Sequence, residues 1–411
     1  MNTKAVASVD AAELIAWSVE VDDPGELLTW LPAGKAYGFL RGGDGIVGWG
    51  EAARLATRDP AEVSAALAAI TARDDVGLPG CGPVAIVSLG FDPAVDASVV
   101  VVPQVVLGRR EGRSWVTLVN PPGAVAVPAL RRRPVAAATA PAAKLAAAVP
   151  SEDEWAHLVK QAVTAIGNGS LQKVVLARAL DVTAPSVLDP RAVAARLAAR
   201  FPSCFTFVCD GLVGASPELL VRRLGRHAES VVLAGTVRRG GDAEEDAALE
   251  RELLGSTKDA REHQLAADSV RDVFAAVAAD MVSDGAPQLL RLANVTHLAT
   301  HFEAWLGTEP PSALELAARL HPTAAVGGTP REAALAMITE LEAAPRGRYA
   351  GPVGWVDARG DGEFAIALRC AQLSGDTARL WAGAGIVAES DPGAEVAETT
   401  AKFDAVLSAL L

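Results

Sequence analysis

Residues 151–182 read SEDEWAHLVKQAVTAIGNGSLQKVVLARALDV, and the change of period inside this stretch decides the fold class. Ser151 has Glu154 three residues on, the pattern of a capping box, and Trp155, Leu158, Val159, Ala162, Val163 and Ile166 recur at helical spacing. Gly167 and Gly169 supply a stop. The segment LQKVVLARALDV that follows is short and β-branched at its centre. It predicts a strand with Lys173, Val175 and Ala177 on one side and Gln172, Val174 and Leu176 on the other. Helix and strand in direct succession predict a mixed α/β protein.

Downstream, residues 201–223 (FPSCFTFVCDGLVGASPELLVRR) predict strand, Asp210-Gly211 turn, strand, with Glu218 in the same β region. A long helix is expected from Ser256, where Asp259 stands three residues on, with Ala266, Val270, Val273, Phe274, Val277 and Met281 as its buried stripe. Strands return in PVGWVDARGDGEFAIALRCAQL and RLWAGAGIV, before a last helix from Pro392. Upstream to Asn120 the pattern is of short strands, such as Val84–Leu89 and Ser98–Leu107, with one helix expected over Pro60–Arg73. Between them, residues 124–150 are rich in Ala, Pro and Arg without a clear period, as in a connecting segment. The chain divides there into residues 1–150, an N-terminal α/β portion of the same fold, and residues 151–411. The triplet Arg131–Arg133 reads as a solvated loop rather than a nucleic-acid patch.

With 411 residues, 50% of them hydrophobic and 21% charged, the chain can bury a large core. A net charge of −13 argues against nucleic acid or anionic lipid as partners, because both want a basic face. An anionic substrate would need a local cluster of Arg, Lys or metal. The four cysteines Cys81, Cys204, Cys209 and Cys370 are scattered without a CxxC pair, so they predict buried thiols rather than disulfides or a zinc site. No leader peptide or stretch of about 18 apolar residues is visible, and a cytoplasmic location is expected.

The sharpest chemical pattern is carboxylate. Asp259 and Glu262 are three apart on one expected helix, and Glu395 and Glu398 on another, so each pair shares a helix face. Alone, either pair reads as a solvated face or as favourable charge at a helix N-terminus. Brought together, the two pairs would repel unless a hard cation lay between them, and all-oxygen ligation selects Mg²⁺ or Mn²⁺. Lys173 is a possible base, since desolvation disfavours the ammonium, although a lysine at a strand edge also serves against aggregation. Glu218, inside apolar VGASPELLV, is either a general acid or an ordinary strand glutamate. Arg369 and Lys402 are possible anion-binding cations, and Lys402 is also a plain i,i+4 partner for Glu398. His297 and His301 lack the Glu of a metalloprotease motif and predict core residues. The Gly-rich pieces at 234–236, 327–329 and 382–385 let backbone approach a ligand, or are simple turns. No nucleotide-binding glycine motif is present in the sequence.

The order of these pieces resembles the chorismate-binding enzymes: anthranilate synthase large subunits, aminodeoxychorismate synthases, isochorismate synthases and salicylate synthases. The resemblance runs from about Ser151 to the C-terminus through QKVVLAR, GASPELLVRR, LAGTVRRG, STKDAREHQLAAD, HPTAAVGGTPR, the strands after Gly351, and GAGIVAESDPGAEVAETTAKF. It implies the anthranilate synthase large-subunit fold, with large antiparallel-rich sheets flanked by helices, and makes residues 151–411 the catalytic region. It further implies that Glu262 and Glu398 bind Mg²⁺ with help from Asp259 and Glu395. Gly235, Thr236, Ala325, Arg369, Gly383 and Lys402 would then cradle chorismate, with His297 beside the leaving group.

Within the family, amine-adding members usually carry Gln where this chain has Lys173, and water-adding members carry Lys. By that resemblance Lys173 activates water for attack at C2 of the ring while Glu218 protonates the departing C4 hydroxyl, giving isochorismate. Salicylate synthases share both residues and then eliminate pyruvate. The segment HPTAAVGGTPR is similar to the HPTPAVCGTPR of isochorismate synthases, with Ala324 for Pro and Gly327 for Cys. An isochorismate synthase, an isomerase, is therefore expected, with salicylate synthase or a non-catalytic chorismate-binding homologue as alternatives. Its product would serve menaquinone or siderophore biosynthesis. The implied substrate is a small molecule, no amidotransferase subunit is needed, and a monomer is expected.

Overall fold

The computed structural model describes residues 11–122, 131–133, 144–292 and 295–410. Most strands are apolar on both faces, Lys173–Thr183 being buried along nearly its whole length, so they must lie inside a layered structure. Among the described residues thirteen strands form one sheet and ten another. Pairing is antiparallel apart from Ile15–Val21 against Thr71–Asp74.

The sheets face each other across a core that includes Phe39 and Phe207 from the larger and Trp355 and Phe364 from the smaller. The outer face of the larger sheet is closed by Val193 and Leu197 of the helix Pro190–Arg200 and by Phe403 and Val406 of Pro392–Leu410. The helix Thr257–Val277 lies on the smaller sheet, Phe274 meeting the Phe302 ring edge-on with centroids 6.3 Å apart. Each such fully buried side chain contributes on the order of 1.5–3 kcal/mol.

The early and late parts of the chain share both sheets. Ala36–Arg41 pairs with Phe205–Cys209, and Val84–Ser88 pairs with Pro352–Asp357. Twice the chain passes from one sheet to the other within a few residues, between Ser216 and Leu219 and between Ile366 and Cys370. These crossings are stitched together: Ile366 N donates to Glu218 O at 3.2 Å, and Ala215 N to Arg369 O at 3.1 Å.

The capping box at Ser151, the hairpin turn at Asp210-Gly211 and the helix starting after Ser256 are all present. Three expectations are corrected. The helix from Pro60 ends at Ala69, and Thr71–Asp74 instead pairs with the first long strand. Met281 belongs to the strand Ala278–Ser283, because the helix from Thr257 ends at Val277. Residues 144–149 of the presumed connector are a strand on the edge of Lys173–Thr183, while 123–130 and 134–143 lie outside the described residues. Arg131–Arg133 lies outside helix and strand with Arg131 and Arg132 exposed, as a solvated loop should, and it is tied down by Arg132 donating to Pro24 O at 2.6 Å and the Arg133 amide to Thr29 O at 2.5 Å. The four cysteines are buried and free. Among the described residues no helix is long and apolar enough to cross a membrane.

Candidate active site

A cavity opens where the two crossings meet the helices Thr257–Val277 and Pro392–Leu410. Glu218, Gly235, Thr236, Glu262, His297, Ala325, Arg369, Gly383, Glu398 and Lys402 line it, and the sequence had singled out all ten. Glu218 and Arg369 come from the two crossings, where backbone leaving a sheet turns side chains into the gap between layers. Arg369 takes a positive φ of 48° there.

Gly235 lies in a bulge of the ladder between His227–Arg238 and Val295–Leu306, with φ at +76°. A Cβ at that position would come within 3.1 Å of the Asp259 side chain, so only glycine lets the strand and the acidic helix approach. The bulge sets Thr236 opposite His297, and Thr236 Oγ1 lies 2.9 Å from His297 Nδ1. His297 Nε2 is buried without a partner among the described residues. Burial, then the charges of Arg369 and Lys402, hold this imidazole well below its ordinary pKa, so it is neutral. His301 is exposed; on a strand the two histidines stand roughly 13 Å apart at about 3.3 Å per residue, and they form no pair.

Lys173 begins an interior strand and is wholly buried, so the strand-edge reading does not hold. Its Nζ lies 3.3 Å from Glu262 Oε1 and has no hydrogen-bond partner among the described residues. Gly385 makes this meeting possible, since a Cβ there would collide with Glu262 Oε1 and press on Lys173 Cε. Glu218 is 3% exposed. Burial pushes its carboxyl up to about 8, against a hydrogen bond from the Leu233 backbone and the charges of Lys173, Arg369 and Lys402. It therefore holds a proton at neutral pH.

The two carboxylate pairs converge. Asp259 and Glu262 come from the helix Thr257–Val277, which His263 pins to the bulge through Ala234 O at 3.1 Å and Thr300 Oγ1 at 2.7 Å. Glu395 and Glu398 come from Pro392–Leu410, which Arg178 anchors through Thr399 and Thr400 at 3.0 and 2.8 Å. Burial raises the Asp259 carboxyl, and burial with the neighbouring Glu398 raises that of Glu395. Glu398 is only half-buried, and against that burial Lys402, Lys258 and Arg369 hold its carboxyl below the usual range.

Lysines interleave this cluster. Lys258 Nζ lies 2.8 Å from Glu395 Oε1, Lys402 is paired with Glu398, and Lys402 Nζ also donates to Gly383 O at 2.8 Å. Among the described residues no three acidic, His or Cys side chains are already disposed as a ligand set. The donors are nonetheless all oxygen, and Glu395 Oε2 is buried without a hydrogen-bond partner among them. Such a set fits a hard divalent cation.

Two residues at the site escaped the sequence reading. Tyr349 lines the cavity with its ring stacked on Trp381 at 5.8 Å between centroids, and Lys258 faces Glu395. Tyr349 is one of only two tyrosines in the chain, and Lys258 directly precedes Asp259. Both were weak signals.

The chorismate binding enzyme family matches residues 40–411. A Mycobacterium tuberculosis protein that carries the isochorismate synthase name MenF is 39% identical over 346 residues, which are 80% of this chain and 87% of that protein. The structure of MenF, the menaquinone-specific isochorismate synthase of Escherichia coli, is similar with a TM-score of 0.81 at 25% identity, covering 100% of this chain and 97% of that one. Anthranilate synthase component I of Streptococcus pneumoniae shares the fold, with a TM-score of 0.69 at 20% identity over 99% of this chain and 94% of that one.

Proposed function

This chain belongs to the chorismate-binding enzymes, and from that premise we propose that it is an isochorismate synthase, converting chorismate, with its hydroxyl at C4, to the isomer with a hydroxyl at C2. The observation that carries the reading is Glu218 buried in the cavity wall, with Lys173 buried beside the cavity against Glu262 and its Nζ without a hydrogen-bond partner among the described residues; burial pushes the Glu218 carboxyl up to about 8. A base and an acid are what addition of water at one carbon and loss of hydroxide at another require. The MenF names among its relatives support the same product.

In this scheme Lys173 takes a proton from a water that attacks C2. The ring double bond migrates, and Glu218 gives its proton to the C4 oxygen, which leaves as water. One water enters and one departs, so the reaction is an isomerisation. Arg369 and Lys402 supply the positive charge that a dicarboxylate needs in a chain of net charge −13. Neutral His297, oriented by Thr236, offers Nε2 to the substrate. Glu262 and Glu398, with Asp259 and Glu395 behind them, would hold Mg²⁺, which when bound would anchor the ring carboxylate of the substrate.

Purified protein incubated with chorismate and Mg²⁺, followed by mass-resolved chromatography, tests this. Isochorismate as main product, lost on chelation of the metal, is the expected result. Salicylate with pyruvate, or chorismate left unchanged, would overturn it.

A further inference from the structure

The strand Lys173–Thr183 is paired with Thr377–Ile386 along one edge from Val174 to Thr183. Its other edge is covered in two pieces. Gly328–Thr329 meets Lys173 and Val174, and Lys144–Val149 meets the strand from Ala179 onward. Residues 175–178 have no strand partner on that side among the described residues. In an antiparallel ladder alternate residues turn their N–H and C=O to opposite edges, so Val175 and Ala177 point theirs into the gap. Unpaired backbone groups buried there would be costly.

Val175 N donates directly to Gly327 O at 2.8 Å. A buried ion pair fills the rest of the gap, at Ala177 N and Val175 O. Glu342 and Arg346 follow the helix Arg331–Leu341, and their side chains are only 7% and 2% exposed. Ala177 N donates to Glu342 Oε1 at 2.8 Å. One guanidinium then donates in two directions, from Nη2 to Val175 O at 2.6 Å and from Nη1 to Val326 O at 2.8 Å. Its plane lies over Phe91, 4.1 Å from the ring centroid.

Val175 and Val326 both line the candidate cavity, on neighbouring segments, and Ala325 adjoins the second. Lys173 is two residues before Val175 on the same face of the strand. We propose that Arg346, held in place by Glu342, is a positioning residue. It reinforces the join of these two lining segments and, through the strand, sets the position of Lys173 beside the cavity. The rigid planar fork is what allows one side chain to hold two carbonyls at a set distance, and lysine cannot reproduce it. The proposal rests on the isochorismate synthase reading for the reaction it serves, while the clamp itself is a property of the fold.

Two variants of the full-length protein separate positioning from mere stability. Arg346→Lys keeps the buried charge but loses the fork. The double variant Glu342→Met with Arg346→Met removes both charges and so avoids an uncompensated carboxylate. Arg346→Lys should lower kcat for chorismate between about tenfold and a hundredfold, with a smaller change in KM and an unchanged Mg²⁺-induced rise in melting temperature. The double variant should melt higher than Arg346→Met alone without recovering kcat. Hydrogen exchange of residues 173–179 and 321–329, measured without substrate, should rise in Arg346→Lys. Wild-type kcat in Arg346→Lys, or kcat returning with stability in the double variant, would overturn the proposal. A wild-type protein without turnover would defeat the isochorismate reading instead, leaving hydrogen exchange to decide the clamp; unchanged exchange then defeats it.

Discussion

The two halves of the cavity are built on opposite plans. The strand-borne half, with Lys173, Glu218, Arg369 and His297, is fixed by sheet ladders and by two crossings hydrogen-bonded to each other, and among the described residues it leaves Lys173 Nζ and His297 Nε2 without hydrogen-bond partners, Lys173 facing Glu262 at 3.3 Å. The helix-borne half, with Asp259, Glu262, Glu395 and Glu398, has lysines against three of its four carboxylates. The first is already arranged to handle protons, and its idle polar atoms are kept for a ligand. The second is a neutralised cluster that must exchange lysine partners to receive a metal. Chemistry and metal binding should therefore be separable by mutation.

The largest effect expected on that division comes from the strand-borne half. Lys173→Met and Glu218→Gln should each reduce kcat by roughly 10²–10⁴-fold, the usual worth of a placed acid or base. Mg²⁺ should still raise the melting temperature of both, because neither is a ligand in this scheme. Loss of that thermal shift in either variant, read by differential scanning fluorimetry, would merge the two halves. Next in size, Glu398→Ala should erase the thermal shift, which is worth about 2.7 kcal/mol when metal stands at a hundredfold over Kd. A shift that persists would remove Glu398 from the metal set.

The smallest effect expected is a pH dependence. Glu218 must carry its proton to act as the acid, and burial sets that proton at about 8. The Glu218 proton should make turnover fall as pH rises through that value, by about tenfold per unit beyond. The residual activity of Glu218→Gln should lack this basic limb. A wild-type profile flat to pH 10 would show that some other group supplies the proton.

How much of this was legible beforehand divides along similar lines. Local devices were readable: the Ser151 and Ser256 caps and the Asp210-Gly211 turn each depend on side chains a few residues apart. Long-range pairing was not. The strand Lys144–Val149 hides in an Ala-rich tract because its pairing with Lys173–Thr183 comes from tertiary context rather than from its own propensity. The helix from Pro60 was drawn too long because nothing local announces that Thr71–Asp74 will join a distant strand. The ten cavity residues were named from ordered motifs, whereas Tyr349 and Lys258 carry no pattern of their own and acquire meaning only beside Trp381 and Glu395. The i,i+3 spacing of each acidic pair was visible, but their convergence depends on His263 and Arg178, which pin two helices far apart in sequence.

The account turns on water, activated by Lys173, as the source of the new hydroxyl. Turnover of chorismate in water enriched in oxygen-18, followed by mass spectrometry of the first product formed, measures this directly. The account predicts isochorismate carrying one heavy oxygen at C2. Unlabelled isochorismate, with its hydroxyl carried over from C4, would contradict it.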